Sequence, residues 1–270
     1  MPELLRLEHF GFTYPQQPRP ALADVSLTVR QGEFWVLCGA SGCGKTTLLR
    51  QLKPALRPHG AAEGCILFDG QPLDDLPPHQ QAADIGFVLQ SPEEQTVTDK
   101  VWHELAFGLE SLGCDTPSIR RRVAEMASFF GIQDWFHRKV DELSGGQKQL
   151  LALASVMVLQ PRLLILDEPT SQLDPIAAAD FLQTVGRLNR ELGITVLLTE
   201  HRLEEALPLA THAAVLRLKE ELPAVKQRCD ALETAQFETL AAQYDGVGSV
   251  LLMQPAMESD AVRRLCDMVA

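Results

Sequence analysis

Three short, nearly continuous apolar runs form the clearest pattern along the chain. They cover Phe34 to Cys38, Leu163 to Leu166 and Thr195 to Leu198. Strands that helices cover on both faces have this uninterrupted hydrophobicity, so the runs predict a buried, mainly parallel sheet in an α/β fold. Ligand sites of such sheets lie beyond the carboxyl ends of the strands. We therefore expect Gly39 to Thr46, Asp167-Glu168 and His201 to meet at one sheet edge.

The segments outside these runs have different periodicities. Leu4 to Tyr14 and Val25 to Val29 alternate apolar and polar residues, which predicts an N-terminal antiparallel β subdomain with one solvated face. From about 91 to 143 the pattern is helical, with a second amphipathic run from Ile119 to Phe130. The first helix is indicated by apolar positions three or four residues apart, at Trp102, Leu105, Ala106 and Leu109. We expect this stretch to be a helical subdomain inserted into the core.

The pattern after Leu216 is weaker. Apolar positions repeat at steps of four and three from Leu218 to Leu232, which predicts a helix over about 222–243. A turn at 245–248, an apolar run over 249–253 and a last helix from Asp260 follow. Docking of this helix on the parent domain is the preferred interpretation, with a coiled-coil partner as the alternative. The predicted domains are therefore 1–218 and a mostly helical extension, 219–270, of unassigned function.

Composition narrows the classes of function. The 270 residues contain 24 Lys and Arg against 36 Asp and Glu, a formal charge of −12, which argues against a broad basic face for nucleic acid. No nucleic-acid partner is expected. The six cysteines lack CxxC spacing, as is typical of thiols in a reducing compartment. Acidic residues near the start and apolar runs far below about 20 residues predict a cytosolic chain that reaches a membrane only through a partner.

A glycine-rich segment directly follows the first buried run. Gly39-Ala40-Ser41-Gly42-Cys43-Gly44-Lys45-Thr46 matches the phosphate-loop pattern G-x-x-x-x-G-K-[ST], and Thr47 opens a helical pattern. The glycines let backbone N–H groups turn towards phosphates, and we expect Lys45 to reach the β- and γ-phosphates of a nucleotide. The Thr46 hydroxyl is the expected Mg²⁺ ligand. Cys43 is interpreted as a small residue tolerated in the loop, with a reactive thiol as the alternative.

Two acids end the second buried run. Asp167 is expected to hold the Mg²⁺ shell, and Glu168 is expected to polarise the attacking water. An apolar strand that ends in Asp-Glu is, by itself, weak evidence for a nucleotide site. It becomes informative because a phosphate loop lies upstream in the same chain.

Of the motif segments, Ser144-Gly145-Gly146-Gln147 discriminates best between possible functions. Ser144 is placed to cap a helix that begins near Gln147, and the glycines allow close approach of a ligand to the backbone. A capped helix N-terminus is a second anion site, yet one γ-phosphate does not need two such sites from one chain. We infer that this turn serves a nucleotide held by another subunit. The alternative is an ordinary glycine turn before a helix.

With these motifs, about residues 4–216 resemble the ATP-binding-cassette (ABC) ATPases. The resemblance implies that Tyr14 stacks on adenine and that Gln90 contacts Mg²⁺ and water. It also implies that Asp174 belongs to a loop that signals across a dimer, and that His201 contacts the γ-phosphate. The implied catalytic residues are Glu168, His201 and Gln90, and the implied metal ligands are Thr46, Gln90 and Asp167. The nucleotide-binding residues are then Tyr14, Gly39, Ala40, Ser41, Gly42, Cys43, Gly44, Lys45, Thr46, Thr47, Ser144, Gly145, Gly146, Gln147 and Asp174.

Longer strings resemble the ATPase subunits of energy-coupling factor importers, which take up vitamins or transition-metal ions. These strings run from Gln90 to Leu109, from Ser171 to Pro175 and from Thr199 to Ala206. The resemblance implies that two cassette chains, identical or different, sandwich two ATP molecules. It also implies an integral membrane subunit that docks near Gln90 to Trp102, and a peripheral location on the cytoplasmic side of the membrane.

The chain departs from the family pattern at one place. The family usually follows the strand after the histidine with an Asp-Gly or glycine-rich hairpin, whereas here Ala213 to Arg217 runs into Leu218. Two rival hypotheses remain. A soluble cassette ATPase on ribosomes or nucleic acid is disfavoured by the charge, by the single cassette and by the absence of a long coiled-coil insertion. An inactive regulatory cassette is disfavoured because Lys45, Glu168 and His201 are all present with the Ser144 turn.

Overall fold

The computed structural model describes residues 2–216, 239–240 and 250–253. Its strands, in chain order, are β1 (Glu3–Thr13), β2 (Leu22–Arg30), β3 (Phe34–Cys38), β4 (Ala61–Phe68), β5 (Gln71–Pro72), β6 (Ile85–Val88), β7 (Leu163–Asp167), β8 (Thr195–Thr199), β9 (His212–Leu216), β10 (Thr239–Leu240) and β11 (Val250–Met253). Its α-helices are α1 (Lys45–Gln51), α2 (Pro78–Asp84), α3 (Pro92–Gln95), α4 (Val101–Ser111), α5 (Thr116–Phe130), α6 (Gly145–Met157), α7 (Pro175–Leu192) and α8 (Leu203–Ala206). Short 3₁₀ turns cover Pro54–Leu56, Leu73–Asp75, Gln133–Trp135, Val140–Glu142 and Leu207–Leu209.

The chain divides into two compact units, and the first contains residues 1–76 and 195–270. In this unit β3 is parallel to β8 on one side and to β9 on the other, with Leu37 opposite Thr199 and Ala214. All five residues of β3 are buried. Such burial on both faces explains why this strand is continuously apolar in the sequence.

A separate antiparallel sheet of the first unit has the strand order β2-β1-β4-β5. Leu5 of β1 and Val29 of β2 are opposite each other and fully buried, whereas Arg6, between the buried Leu5 and Leu7, is exposed. The predicted N-terminal antiparallel subdomain is therefore confirmed, and so is the α/β fold class.

The second unit contains residues 77–194. Its parallel strands β6 and β7 pair with Ile85 opposite Leu163 and Val88 opposite Leu166. The predicted helices between 91 and 143 are present as α3, α4 and α5, and Leu105 is fully buried in α4. The helices lie within a unit that also holds two strands, so its bounds differ from the predicted insertion, 91–143.

Of the predictions beyond Leu216, only a part falls on described residues. The predicted helix over 222–243 is wrong at 239–240, because Thr239 and Leu240 form β10, which pairs with β11. The rest of that helix, the turn at 245–248 and the helix from Asp260 lie outside the described residues. Within the apolar run over 249–253, Val250–Met253 form β11. This strand pairs antiparallel with β9, with Val250 opposite Leu216.

Two further observations on the described part of the chain concern its helices and its cysteines. None of its helices combines the length and the apolar character that crossing a bilayer requires. The thiols of Cys38 and Cys43 are buried and those of Cys65 and Cys114 are half-buried, and none of these four forms a disulfide within the described residues.

Two glycines with the same backbone conformation allow a test of the antiparallel sheet. Gly64 and Gly70 have φ angles of 73° and 78°, but a Cβ at Gly64 would overlap the carbonyl oxygens of Glu8 and His9, whereas one at Gly70 meets nothing within 4 Å. Gly70→Ala should lower the free energy of unfolding by about 1 kcal/mol, the cost of the left-handed conformation. Gly64→Ala should lower it by about 3 kcal/mol, since overpacking is added. Urea denaturation measures both, and equal losses would contradict the described register of β1 and β4.

Candidate functional site

The phosphate loop connects β3 to α1. The helix begins at Lys45, two residues earlier than the predicted start at Thr47. Gly39 has a φ of +147°, and a Cβ there would overlap the carbonyl oxygen of Leu216 and lie 2.7 Å from Sγ of Cys43. The loop can therefore lie this close to the end of β9 only with glycine at this position.

Lys45 has its ammonium group turned into the loop. Its Nζ donates to the carbonyl oxygen of Gly39 at 2.8 Å and to that of Ala40 at 3.2 Å. The residue is only 5% exposed, whereas Ser41 and Gly42 are exposed. The loop thus holds one positive charge beside its own backbone.

Tyr14 lies at the first turn of α1. Its hydroxyl hydrogen-bonds the hydroxyl of Thr47 at 3.0 Å, and its ring packs edge-on against Phe12 with 4.9 Å between centroids. The structure therefore brings the predicted adenine-stacking residue next to the loop, and Thr46 is half-buried in the same turn.

His201 follows β8 at the same edge of the sheet as the loop. The parallel register places Leu37 opposite Thr199, so Gly39 and His201 both lie beyond the carboxyl ends of paired strands. His201 is exposed, and its backbone N–H donates to the buried carboxylate of Glu200 at 3.1 Å. Within the first unit, the predicted meeting of loop and histidine at one edge is confirmed.

The two acids and Gln90 lie together in the second unit. Asp167 is the buried last residue of β7, and Glu168 follows it with a φ of +48°, which is rare for a residue other than glycine. Because β6 and β7 are parallel neighbours, Gln90, which follows β6, lies at the same sheet edge as Glu168, which follows β7. Nε2 of Gln90 donates to Oε2 of Glu168 at 3.4 Å. The amide of Gln90 and the carboxylate of Glu168 are therefore in direct contact at this sheet edge.

Ser144 caps α6, which begins at Gly145 rather than near Gln147. The Gln147 backbone N–H donates to Oγ of Ser144 at 3.3 Å, and the Ser144 N–H donates to Oε1 of Gln147 at 3.0 Å. This reciprocal pair is a capping box, and it confirms the predicted cap. A Cβ at Gly146 would lie 3.2 Å from the Cβ of Ala177. Because Gly146 has no side chain, the first turn of α6 can pack closely against that of α7.

Asp174 caps α7 in a similar way. Its Oδ1 accepts from the backbone N–H groups of Ile176 at 3.0 Å and Ala177 at 2.9 Å. The local role of this carboxylate is thus a helix cap, and a role across a dimer stays a prediction. Ala177, whose N–H donates to Asp174, is also the residue that Gly146 of the Ser144 turn approaches.

Two glutamines that the sequence patterns did not predict contact the backbone of Leu89, next to Gln90. Gln95 accepts from the Leu89 N–H at 3.0 Å, and Gln149 donates to the Leu89 carbonyl at 3.3 Å. The position of Gln149 could have indicated a buried role, because it lies four residues before the buried Leu153 on α6.

One exposed ion pair lies beside these glutamines. Nζ of Lys148 on α6 lies 3.2 Å from Oε1 of Glu93 on α3. Hydrogen bonds from its own backbone N–H and from Lys148 lower the pKa of the Glu93 carboxyl. The pair contributes little to stability because it is open to solvent.

Similarity to known proteins identifies the family. A family model described as ABC transporter matches residues 22–171, more than half of the chain. The chain belongs to the ABC transporter family. The matched range includes the phosphate loop, Gln90, the Ser144 turn, Asp167 and Glu168.

Curated relatives of this ABC chain are described as putative ABC transporter ATP-binding proteins. One from Bacillus cereus is 52% identical over 205 residues, which cover 76% of this chain and 37% of the relative. One from Streptomyces avermitilis is 40% identical over 216 residues, which cover 79% of this chain and 38% of the relative. The ABC chain thus spans little more than a third of the length of these relatives.

Solved structures of ABC proteins share the fold. The cbiO1 protein of Clostridium perfringens, described as part of the ABC transporter complex cbiONQ, aligns with a TM-score of 0.72 and 29% identity over 80% of this chain and 85% of that one. A dimeric ATP-binding cassette, MJ0796, bound to ADP and phosphate in a post-hydrolysis state, aligns with a TM-score of 0.67 and 25% identity over 78% of this chain and 94% of that one.

The cap on α6 leads to a stability prediction. Ser144→Ala removes the acceptor for the Gln147 N–H, so it should lower the free energy of unfolding by about 1 kcal/mol. Ser144→Thr keeps a hydroxyl at the cap and should lose less than about 0.5 kcal/mol. Guanidinium denaturation compares the two variants. If Thr destabilises as much as Ala, the hydroxyl does not act as the cap.

Proposed function

We propose that this ABC chain is the ATP-binding and ATP-hydrolysing subunit of a membrane importer. The observation that carries the proposal is the ammonium of Lys45, held inside the glycine-rich loop by the carbonyls of Gly39 and Ala40 in a chain of the ABC family. A buried ammonium group inside a glycine-rich loop suits the phosphates of a nucleotide.

The loop residues bind the phosphates of ATP. Lys45 exchanges its two carbonyl partners for β- and γ-phosphate oxygens, and Tyr14 stacks on adenine. The hydroxyl of Thr46, the side-chain oxygen of Gln90 and the carboxylate of Asp167 fit Mg²⁺, which prefers hard oxygen ligands. When bound, Mg²⁺ neutralises negative charge on the phosphate oxygens.

Hydrolysis depends on the orientation of a water molecule. Phosphoryl transfer is catalysed by positioning and by charge stabilisation, so a carboxylate that aligns the attacking water contributes much of the rate. Glu168 has this role, Gln90 contacts the same water, and His201 contacts the γ-phosphate. The 3.4 Å contact between Gln90 and Glu168 supports this assignment.

A second cassette chain completes each nucleotide site. The Ser144-Gly145-Gly146 turn of one chain contacts the ATP that is bound to the loop of the other, and Asp174 lies in the loop that signals between them. The dimeric form of MJ0796 with ADP and phosphate supports a two-cassette arrangement. The capped first turn of α6 supports an anion contact at this position.

A membrane subunit docks on the segment from Gln90 to Trp102. Val97 on this segment is 64% exposed, although it is apolar. Its turn is rigid, because Oε2 of the buried Glu104 accepts from the N–H groups of Val97 at 3.1 Å and Thr98 at 2.8 Å. An exposed apolar side chain on a fixed turn is suited to a protein interface.

The importer is of the energy-coupling factor type and takes up a vitamin or a transition-metal ion. The strings between Gln90 and Leu109 and the similarity to cbiO1, part of the complex cbiONQ, support this assignment. The ABC chain then lies at the cytoplasmic side of the membrane, bound through its partner.

The assignment of Glu168 has a direct kinetic test. Glu168→Gln keeps the shape but cannot act as a base, so we expect the rate of ATP hydrolysis to fall about 100-fold or more. ATP affinity, measured by isothermal titration calorimetry, should not change. Glu125→Gln, on the exposed surface of α5, is the matched control and should keep both properties. Hydrolysis by Glu168→Gln at the wild-type rate would contradict the proposed role.

The docking segment can be tested by co-purification. The tagged full chain, extracted from detergent-solubilised membranes, should carry an integral membrane protein and, where the dimer is mixed, a second cassette chain. Val97→Asp should reduce recovery of the membrane protein about tenfold, because it places a charge in an apolar contact. Leu192→Asp, at an apolar position that is 43% exposed on α7, should leave recovery unchanged. A chain found only with ribosomes or DNA would refute the importer.

A further inference from the structure

The backbone of Leu89 is held from both sides by glutamine side chains. Oε1 of Gln95 accepts from the Leu89 N–H at 3.0 Å, and Nε2 of Gln149 donates to the Leu89 carbonyl at 3.3 Å. Nε2 of Gln95 also donates to the carbonyl of Ala152 at 3.3 Å. We name Gln95, Gln149 and the Leu89 backbone the Leu89 clamp.

The orientation of the Gln149 amide follows from its partner. A carbonyl oxygen only accepts, so the NH₂ group of Gln149 must face Leu89. This choice leaves Oε1 of Gln149 buried and without a hydrogen-bond partner among the described residues, in a side chain that is 1% exposed. An unsatisfied buried acceptor destabilises the fold. A methionine would fill the same space without this penalty, so stability alone does not explain the glutamine.

The Leu89 clamp joins two parts of the proposed catalytic apparatus. On one side, Leu89 directly precedes Gln90, whose amide contacts Glu168. On the other side, Gln149 belongs to α6, which begins at the turn that Ser144 caps. Gln149 and Ala152 lie on α6 almost one turn apart, so the helix is hydrogen-bonded to the segment from Leu89 to Gln95 at two points. The Leu89 clamp therefore connects α6 directly to the backbone that carries Gln90.

We propose that Gln149 is a positioning residue that couples the Ser144 turn to Gln90. When α6 moves as the turn engages a nucleotide of another chain, the Leu89 clamp moves Gln90 with it and aligns its amide on Glu168. The inference rests on the proposed hydrolysis of ATP. It assigns to Gln149 an effect on turnover and none on the binding of ATP to the loop, from which it is separate in sequence and in unit.

The test is a double-mutant cycle on the full chain. Gln149→Met removes the hydrogen bond and keeps an unbranched side chain of similar size. We expect kcat for ATP hydrolysis to fall about tenfold, with KM within about twofold of the wild type and no decrease in Tm. Because Gln149 acts through Gln90, Gln90→Ala with Gln149→Met should be no slower than Gln90→Ala alone. Gln183→Met, on the exposed face of α7, is the matched control and should keep the wild-type kcat.

Two results would overturn the inference. Either kcat of Gln149→Met equals that of the wild type, or the losses of the two single variants multiply in the double variant. If Gln149→Met does not fold, Gln95→Met takes its place in the cycle, because Gln95 is half-buried and forms the other side of the Leu89 clamp. The same two results would then decide.

Amide hydrogen exchange gives a readout that needs no turnover. Gln95→Met removes the acceptor of the Leu89 N–H, so exchange at Leu89 should be about tenfold faster in this variant, while α7 exchanges at the wild-type rate. Unchanged exchange would overturn the clamp. A wild-type chain that does not hydrolyse ATP would contradict the proposed function instead, and the exchange experiment would then decide the clamp by itself.

Discussion

Strand β3 can satisfy its backbone only between two other strands, because all five of its residues are buried away from water. Its parallel pairing with β8 and β9 supplies those hydrogen bonds and fixes where the strand ends. The end of β3 is the start of the phosphate loop, and the end of β8 is followed by His201. The positions of loop and histidine therefore both depend on one sheet register. A slip by one residue would displace both and turn buried side chains to the other face.

The polar groups assigned to the nucleotide already have partners in the protein. Lys45 is bonded to the loop carbonyls, Tyr14 to Thr47, and Ser144 to Gln147. Each group is thus held in a defined position before any ligand contact, which reduces the entropy lost on binding. The proposed binding at Lys45 exchanges hydrogen bonds to carbonyl oxygens for hydrogen bonds to phosphate, so affinity depends on the difference between the two partners. Charge-assisted bonds from Lys45 to phosphate are stronger than its bonds to neutral carbonyls, which favours the exchange.

Sequence patterns predicted the strands of the core to within one residue, because strands buried on both faces have a distinctive composition. Helix starts were less accurate: α1 and α6 begin two residues before their predicted starts, since glycines and the residues after them carry no helical periodicity. The stripe after Leu218 fitted a helix, yet Thr239 and Leu240 pair with β11. The contacts of Gln149 could not be predicted, because they join residues 60 positions apart. Such contacts are set by packing of α6 on the segment after β6, which no local pattern encodes.

Leu216 links the phosphate loop to the region where the sequence departs from the family pattern. Its carbonyl oxygen lies where a Cβ of Gly39 would be, and its Cδ2 lies 3.6 Å from where a Cβ of Gly44 would be. The sequence unlike that of other cassettes begins at the next residues, and β11 pairs with β9 from Val250. The residue whose backbone limits the space at Gly39 is therefore the last one before the sequence departs from the family pattern. The departure thus begins directly beside a wall of the phosphate loop.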